Sequence, residues 1–269
     1  MSLFIESLRS KSALALPIAR KFTMAKSLIG TSGWNYKHWH NGEFYPTELK
    51  PPQWLPFFSQ QFQTVEINSS FYRLPSEAAF QHWRTQVPRH FIFAVKASRF
   101  LTHIKRLKDP KDPLALFLSR AKHLEDRLGP VLFQLPPQFN LNLERLDAFF
   151  RALKPYMTRY NMRCVLEVRN STWLIPSVYE MLRSFRIALC FADWRETCIT
   201  APITTDFVYV RRHSGRGRGG NYLTEELDRD VESVREWLKS GLDVYMYFNN
   251  DVGGHAIRNA KYVRSKLCE

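Results

Sequence analysis

Acidic residues are scarce. The chain has 25 Asp and Glu against 39 Lys and Arg, a formal net charge of +14. That balance excludes an acidic, solvating polypeptide. It leaves two readings of the surplus, a polyanionic partner such as nucleic acid or a basic surface without one. Lys and Arg are spread along the whole chain, so local runs do not choose between them. Cysteine is scarce too. Cys164, Cys190, Cys198 and Cys268 form no C-x-x-C pair, and a large core needs no staples. They read as reduced thiols of a cytoplasmic protein, with Cys164 and Cys190 inside apolar, strand-like runs. Apolar runs never approach the ~18 residues of a membrane span. There is no internal repeat and no interdomain linker. Metal-site spacing is poor: H-E-x-x-H is absent and His does not recur at strand ends, so no metal or other cofactor is expected. The first strand is followed by "GTSGWNY", which is not the Gly-rich turn of a dinucleotide-binding sheet.

Short β-rich runs recur at Leu28–Thr31, Thr64–Asn68, Phe91–Lys96, Pro130–Leu135, Arg163–Arg169, Ile187–Asp193, Phe207–Arg211 and Val244–Asn249. Most are nearly continuous in apolar residues, as suits strands covered on both faces. Helical segments lie between them. Ser76 can cap one that ends before Pro88. Asp112 can cap a second, with Pro113 at its first position and Gly129 as its stop, and Thr224 a third that runs to Gly241. Strand then helix, repeated, predicts a parallel α/β fold. Eight strands in 269 residues favour a (β/α)8 TIM barrel, which typically takes ~250 residues, over an open doubly wound sheet. The stretch between Asp193 and Phe207 is too short for a full helix, so an irregular crossover is expected after the sixth strand. Residues 28–269 form this single domain. Residues 1–27 are basic and lack the compact apolar run and cleavage site of a secretory signal. They read as a disordered or loosely packed extension, with a transit peptide or a start at Met24 as alternatives.

Polar side chains gather at the C-terminal ends of the strands: Glu66 and Asn68, Lys96, Gln134, Glu167 and Arg169, Asp193, Arg211 and His213, then Asn249, Asn250 and Asp251. Alternation puts Glu66 with Asn68 on one face, and Glu167 with Arg169. If those faces point inward, Glu66, Lys96, Glu167, Arg169, Asp193 and Arg211 converge on one small volume. Buried charges must be paired or used, and the opposite strand ends show no matching pattern. The bland alternative is an ion-pair network that only sets register. Aromatics Trp34, Tyr36, Trp39, Tyr72, Trp173 and Trp194 sit in the same loops, with Trp34 the leading pocket candidate. Gly253 and Gly254 precede a helix and could seat an anion. The loop "RRHSGRGRGGNY" could be a lid or a plain solvated loop.

Chemically, Glu66, Glu167 and Asp193 could hold Mg²⁺ or Mn²⁺, but Lys96, Arg169 and Arg211 compete for the same carboxylates. Without metal the set reads as a proton-transfer site. Glu167 or Glu66 would be the general acid or base, Lys96 an electrophile or Schiff-base amine, and Asp193 a further catalytic carboxylate. Arg169 and Arg211 would orient an anionic group, while Trp34, Asn68, Tyr72, Gln134, His213, Asn249, Asn250 and Asp251 bind the substrate. The expected ligand is small, polar or anionic, sugar-like or phosphorylated, and the expected reaction isomerase-like. Nucleic-acid binding or processing is the alternative. Nothing assigns an oligomeric state.

The segments "GTSGWNYKHWHNGEFYP", "VEINSSFYRLP", "FAVKASRFLTHIKRL", "LGPVLFQLPPQF", "LEVRNSTW" and "YFNNDVGGHAIRNA" are similar to the domain of unknown function 72 family, also called YecE-like, from about Ile29 to Ala260. The resemblance implies a TIM barrel related by fold to sugar isomerases and no particular reaction. Its motif positions fall on Trp34, Glu66, Asn68, Tyr72, Lys96, Gln134, Glu167, Arg169, Asn249 and Asp251.

Overall fold

The computed structural model describes residues 24–40, 42–194, 197–198 and 201–268, with backbone alone at 194, 197 and 198. The expectation for the basic segment up to residue 23 lies outside them, and strand structure begins at Ser27. The strands are β1 (Ser27–Ser32), β2 (Thr64–Ile67), β3 (Ile92–Lys96), β4 (Leu128–Gln134), β5 (Cys164–Glu167), β6 (Ala188–Trp194), β7 (Thr197–Cys198), β8 (Phe207–Arg212) and β9 (Asp243–Phe248). The helices are α1 (Pro51–Gln61), α2 (Ser69–Tyr72), α3 (Glu77–Thr85), α4 (Lys111–Ala121), α5 (Leu143–Tyr160), α6 (Pro176–Phe185), α7 (Thr224–Lys239) and α8 (His255–Cys268). Eight strands pair in parallel in the order β5-β4-β3-β2-β1-β9-β8-β6, and β5 also pairs with β6. That last pairing closes the sheet into a TIM barrel and excludes the open sheet. Closure removes the edges that an open sheet would expose.

The irregular crossover falls where it was expected. Between β6 and β8 the described residues hold no helix, and β7 folds back antiparallel on β6 instead. Two local expectations change. Asp112 lies inside the first turn of α4, whose cap position is Pro110, and Gly129 belongs to β4. Thr224 is the first residue of α7, not its cap; the Glu226 carboxylate accepts from the Leu223 N–H at 2.9 Å. Ser76 does cap α3, accepting from the Ala79 N–H at 3.2 Å.

Strand alternation splits the apolar residues into two layers. Val65, Phe93, Val95, Val131, Leu166 and Val208 pack outward against the helices, whereas Ala94, Leu132, Val165, Cys190, Tyr209 and Tyr247 fill the barrel. Cys164 and Cys190 are buried, unbridged thiols. At the N-terminal end Arg163 Nη1 donates to Asp243 Oδ2 at 2.6 Å and to Tyr245 OH at 2.9 Å, and its guanidinium lies 5.0 Å from the Phe207 ring centre. The expectation of no polar pattern at that end is therefore corrected. Arg163 and Asp243 come from opposite sides of the closed barrel, which spacing along the chain does not reveal. No helix of the described residues is long and apolar enough to cross a membrane.

Candidate functional site

The inward parity of each strand selects what reaches the C-terminal mouth: Ser32 from β1, Glu66 from β2, Lys96 from β3, Gln134 from β4, Glu167 from β5 and Arg211 from β8. Glu66, Glu167 and Arg211 are each 0% exposed. Arg211 spans the two carboxylates. Its Nη2 donates to Glu66 Oε1 at 2.8 Å and its Nη1 to Glu167 Oε2 at 2.7 Å. Arg169 Nε donates to Glu167 Oε1 at 2.8 Å. Ser32 Oγ donates to Glu66 Oε1 at 2.8 Å and Tyr209 OH to Glu66 Oε2 at 2.6 Å. Every carboxylate oxygen of the ladder thus accepts a hydrogen bond, as buried charge requires.

This saturation changes the roles expected of the carboxylates. Burial pushes the Glu167 carboxyl up, but Arg211, Arg169, His213 and Lys96 together outweigh it and hold it below the usual carboxylate range. A carboxylate so held is a poor general base. Glu66 has no vacant oxygen, so both residues serve better as clamps that orient Arg211 and Arg169.

Lys96 differs from them. It is partly buried, its Nζ sits 4.2 Å from the centre of the Phe71 ring, and it forms no ion pair among the described residues. Burial, then Arg211 and Arg169, push its ammonium down to about 7 against the pull of Glu167 and Glu66. Two imidazoles flank it. The His103 ring meets Phe71 at 4.8 Å, its Nδ1 pairs with Thr102 Oγ1 at 2.9 Å, and burial, Lys96 and Arg169 bring its pKa down to about 4. His213 Nδ1 accepts from Asn249 Nδ2 at 3.1 Å, which leaves the ring proton on Nε2, 3.9 Å from Glu167 Oε1. Burial and then Arg211 lower His213 to about 3. Both rings are neutral at physiological pH.

The amide rim is partly assembled. Asn68 Nδ2 donates to Asn249 Oδ1 at 3.3 Å, while Asn68 Oδ1 and Gln134 Oε1 are buried without a partner among the described residues. Trp34 is buried edge-on against Trp83 at 5.3 Å. With Tyr36, Asn68 and the 81% exposed Tyr72 it lines a cleft of about 560 Å³. Trp34 therefore builds a wall of that cleft, beside the ladder instead of over it.

Other expected members lie elsewhere. Asp193 follows the inward Ala192 and so faces out toward α7. Its Oδ1 accepts from the His213 N–H at 2.6 Å and its Oδ2 from Tyr222 OH. Burial raises the Asp193 pKa, with Tyr222 and Arg212 opposing. Five of the six charges converge and Asp193 does not. The carboxylate trio for a divalent cation is not assembled either. Arg211 occupies the space between Glu66 and Glu167, and among the described residues no cluster of three or more His, Cys, Asp or Glu could hold a metal. The sequence does contain one H-x-H pair, His38 and His40, but His38 bonds to Asp251 and His40 lies against Trp54.

Asn250 and Asp251 serve as loop anchors. Asn250 Nδ2 donates to Gly220 O at 3.0 Å, and Asp251 O accepts from Trp39 Nε1 at 2.8 Å and pairs with His38 Nε2 at 2.9 Å. The expected anion seat at Gly253 and Gly254 is filled from within. Gly254 has φ +68°, and an added Cβ would collide with Glu43 Oε1, a carboxylate gripped by Arg258. The Arg-rich loop after β8 is folded back on itself. Gly215 N donates to Gly220 O at 3.0 Å and Gly217 N to Asn221 O at 2.8 Å. A Cβ on Gly215 would collide with the Asn221 carbonyl oxygen. Arg216 pairs with Glu226, and Asp193 holds both ends of the loop.

Four contributors escaped the sequence reading: Ser32, Tyr209, Phe71 and His103. Inward parity would have found Ser32 and Tyr209. Phe71 comes from the short helix α2, and His103 depends on irregular backbone. The Phe100–Ile104 segment is a π-turn, followed by left-handed Arg106 (φ 48°), Leu107 (φ 64°) and Asp109 (φ 45°). Such turns recur at functional sites.

The fold and this mouth define a TIM-barrel protein with a buried, mixed-charge site at the C-terminal face. The chain belongs to the family described as "Protein of unknown function DUF72", which matches residues 28–269. It is 28% identical over 274 residues to the UPF0759 protein YunF of Bacillus subtilis, covering 89% of this chain and 94% of that one. Among solved structures, a DUF72 family protein from Thermotoga maritima superposes with TM-score 0.78 at 30% identity, covering 91% of this chain and all of the other. One from Enterococcus faecalis superposes with TM-score 0.74 at 19% identity over 90% of this chain and 96% of its own, a likeness of fold alone.

Proposed function

We propose that the protein is an enzyme that moves a proton on a small anionic substrate, sugar-like or phosphorylated, with Lys96 as the proton-transfer group and no metal. The observation that carries this reading is the contrast at the barrel mouth. Every oxygen of Glu66 and Glu167 is committed to a donor, while the Lys96 amine stands beside them with only an aromatic ring under it. A lysine that titrates near the working pH is matched to both donating and accepting a proton. Arg169 and Arg211 are balanced by Glu167 and Glu66, so an anionic group would meet the ammonium form of Lys96 beside them. The amides of Asn68, Gln134 and Asn249 suit hydroxyl or carbonyl oxygens.

A thermal-shift series with sugars, sugar phosphates and an oligonucleotide tests it. A ligand at about a hundred times its Kd stabilises the fold by about 2.7 kcal/mol. The expected result is a Tm rise with a sugar phosphate that Lys96→Met abolishes. Lys96→Met itself leaves the fold at least as stable at neutral pH, because the folded protein already disfavours the ammonium. Stabilisation by the oligonucleotide alone, weakened by salt and indifferent to Lys96→Met, would instead support the nucleic-acid reading.

A further inference from the structure

We infer that Lys96 forms an imine with a small carbonyl compound that carries its own anionic group, a 2-oxo acid or a phosphorylated ketone. The inference rests on the proposed proton-transfer site and names the class of substrate it takes.

Three observations carry it. The first is position. Lys96 ends β3 on the inward face, partly exposed, and the wall under its Nζ, Phe71, also lines an apolar groove of about 510 Å³ with Tyr72, Phe100 and Ile104. Lys96 stands on the other side of that ring, at the barrel mouth, where the carboxylates beside it, Glu66 and Glu167, are engaged by Arg211 and Arg169. The second is the neighbourhood. Amine nucleophiles are activated chiefly by desolvation here: Phe71 lies under the amine, and the push of Arg211 and Arg169 is opposed by the pull of Glu167 and Glu66. The third is charge. Glu66 and Glu167 are cancelled by Arg211 and Arg169. A protonated imine formed at Lys96 would find no spare carboxylate at the mouth, so the ligand must bring the counter-charge.

The chemistry balances without any co-reactant. The neutral Nζ adds to the carbonyl carbon, and the carbonyl electron pair goes to oxygen. That oxygen takes the proton shed by nitrogen, giving a carbinolamine. A proton from solvent lets the hydroxyl leave as water, so the nitrogen keeps its own hydrogen in a protonated carbon–nitrogen double bond, and hydrolysis returns both partners and the proton. While it lasts, the protonated imine draws electrons from the adjacent carbon and so acidifies the hydrogen there. Lys96 is then bonded to the substrate, so that hydrogen leaves as a proton to a flanking neutral imidazole, His103 or His213.

The test uses the full chain with pyruvate and, separately, dihydroxyacetone phosphate, each treated with sodium borohydride and examined by intact mass and peptide mapping. Lactate, which has no carbonyl, is the control. The expected result is one reduced adduct per chain, on the Lys96 peptide, formed before any other lysine is labelled. It should be absent with lactate and lost in a folded Lys96→Arg variant. If the ketones raise Tm through Lys96 but leave no reduced adduct, the imine is overturned and the proton-transfer reading stands. If adducts spread over surface lysines without preference for Lys96, the imine is overturned as well. If neither ketone stabilises the protein nor labels it, the imine is overturned and the reading beneath it loses its anionic-carbonyl substrates.

Discussion

Both ends of the barrel hold an arginine against a carboxylate and a tyrosine, yet the two assemblies are built for different surroundings. At the N-terminal end the Arg163 and Asp243 side chains keep 33% and 26% of their exposure. Water screens that pair, and its effect is to close the barrel floor. At the C-terminal end Arg211, Glu66 and Glu167 keep none. There desolvation is large, and Coulomb attraction offsets it only because every oxygen is matched. A saturated ladder of this kind is weak evidence for stability. Its effect is a fixed, low-dielectric field beside Lys96, an amine that forms no ion pair among the described residues.

Breaking each end in turn measures that difference. The largest effect is expected for Arg211→Met. It strands two buried carboxylates at once, and removing one partner of a buried pair costs about 3–5 kcal/mol. Urea unfolding should show this, and adding Glu66→Gln and Glu167→Gln should recover part of it. A loss no greater than that of a surface substitution would mean that water enters the mouth and that the ladder is not dry.

An intermediate effect follows from pH. The Glu167 carboxyl is held below its ordinary 4.5 in the folded protein. A depressed folded-state value contributes stability that is complete above the ordinary value and is lost as pH falls toward the folded one. The unfolding free energy should therefore decline as pH drops below about 4.5, and Glu167→Gln should flatten that decline. The smallest effect is expected for Arg163→Ala, about 1 kcal/mol from a screened pair and a ring contact. It should shrink in high salt, whereas the Arg211→Met loss should barely respond.

Much of this was legible before any coordinates. Apolar runs at regular spacing placed all eight barrel strands within a residue or two, and the short Asp193–Phe207 stretch marked the crossover without a helix. Alternation put Glu66, Glu167 and Arg211 on inward faces. What misled was a residue near the end of a strand. Asp193 is adjacent to the inward Ala192, so one step of pleat turned it toward Tyr222 and away from the mouth. Gly253 and Gly254 have the composition of an anion seat, but Glu43 reaches it from the loop after β1. That contact spans more than two hundred residues of chain.

The sequence by itself determined the barrel and the parity of its strands, because hydrophobic periodicity is a local property that each segment carries alone. It also determined which residue types crowd the C-terminal ends. Only the tertiary structure decided how those residues divide the work. Closure of β5 onto β6, which in turn pairs with β8, brought Arg211 between two carboxylates from distant strands, and that satisfied both. Lys96 was left over an aromatic ring, with His103 carried in by a π-turn. Which of several like groups stays unpaired depends on distances across the barrel, and no spacing along the chain encodes them.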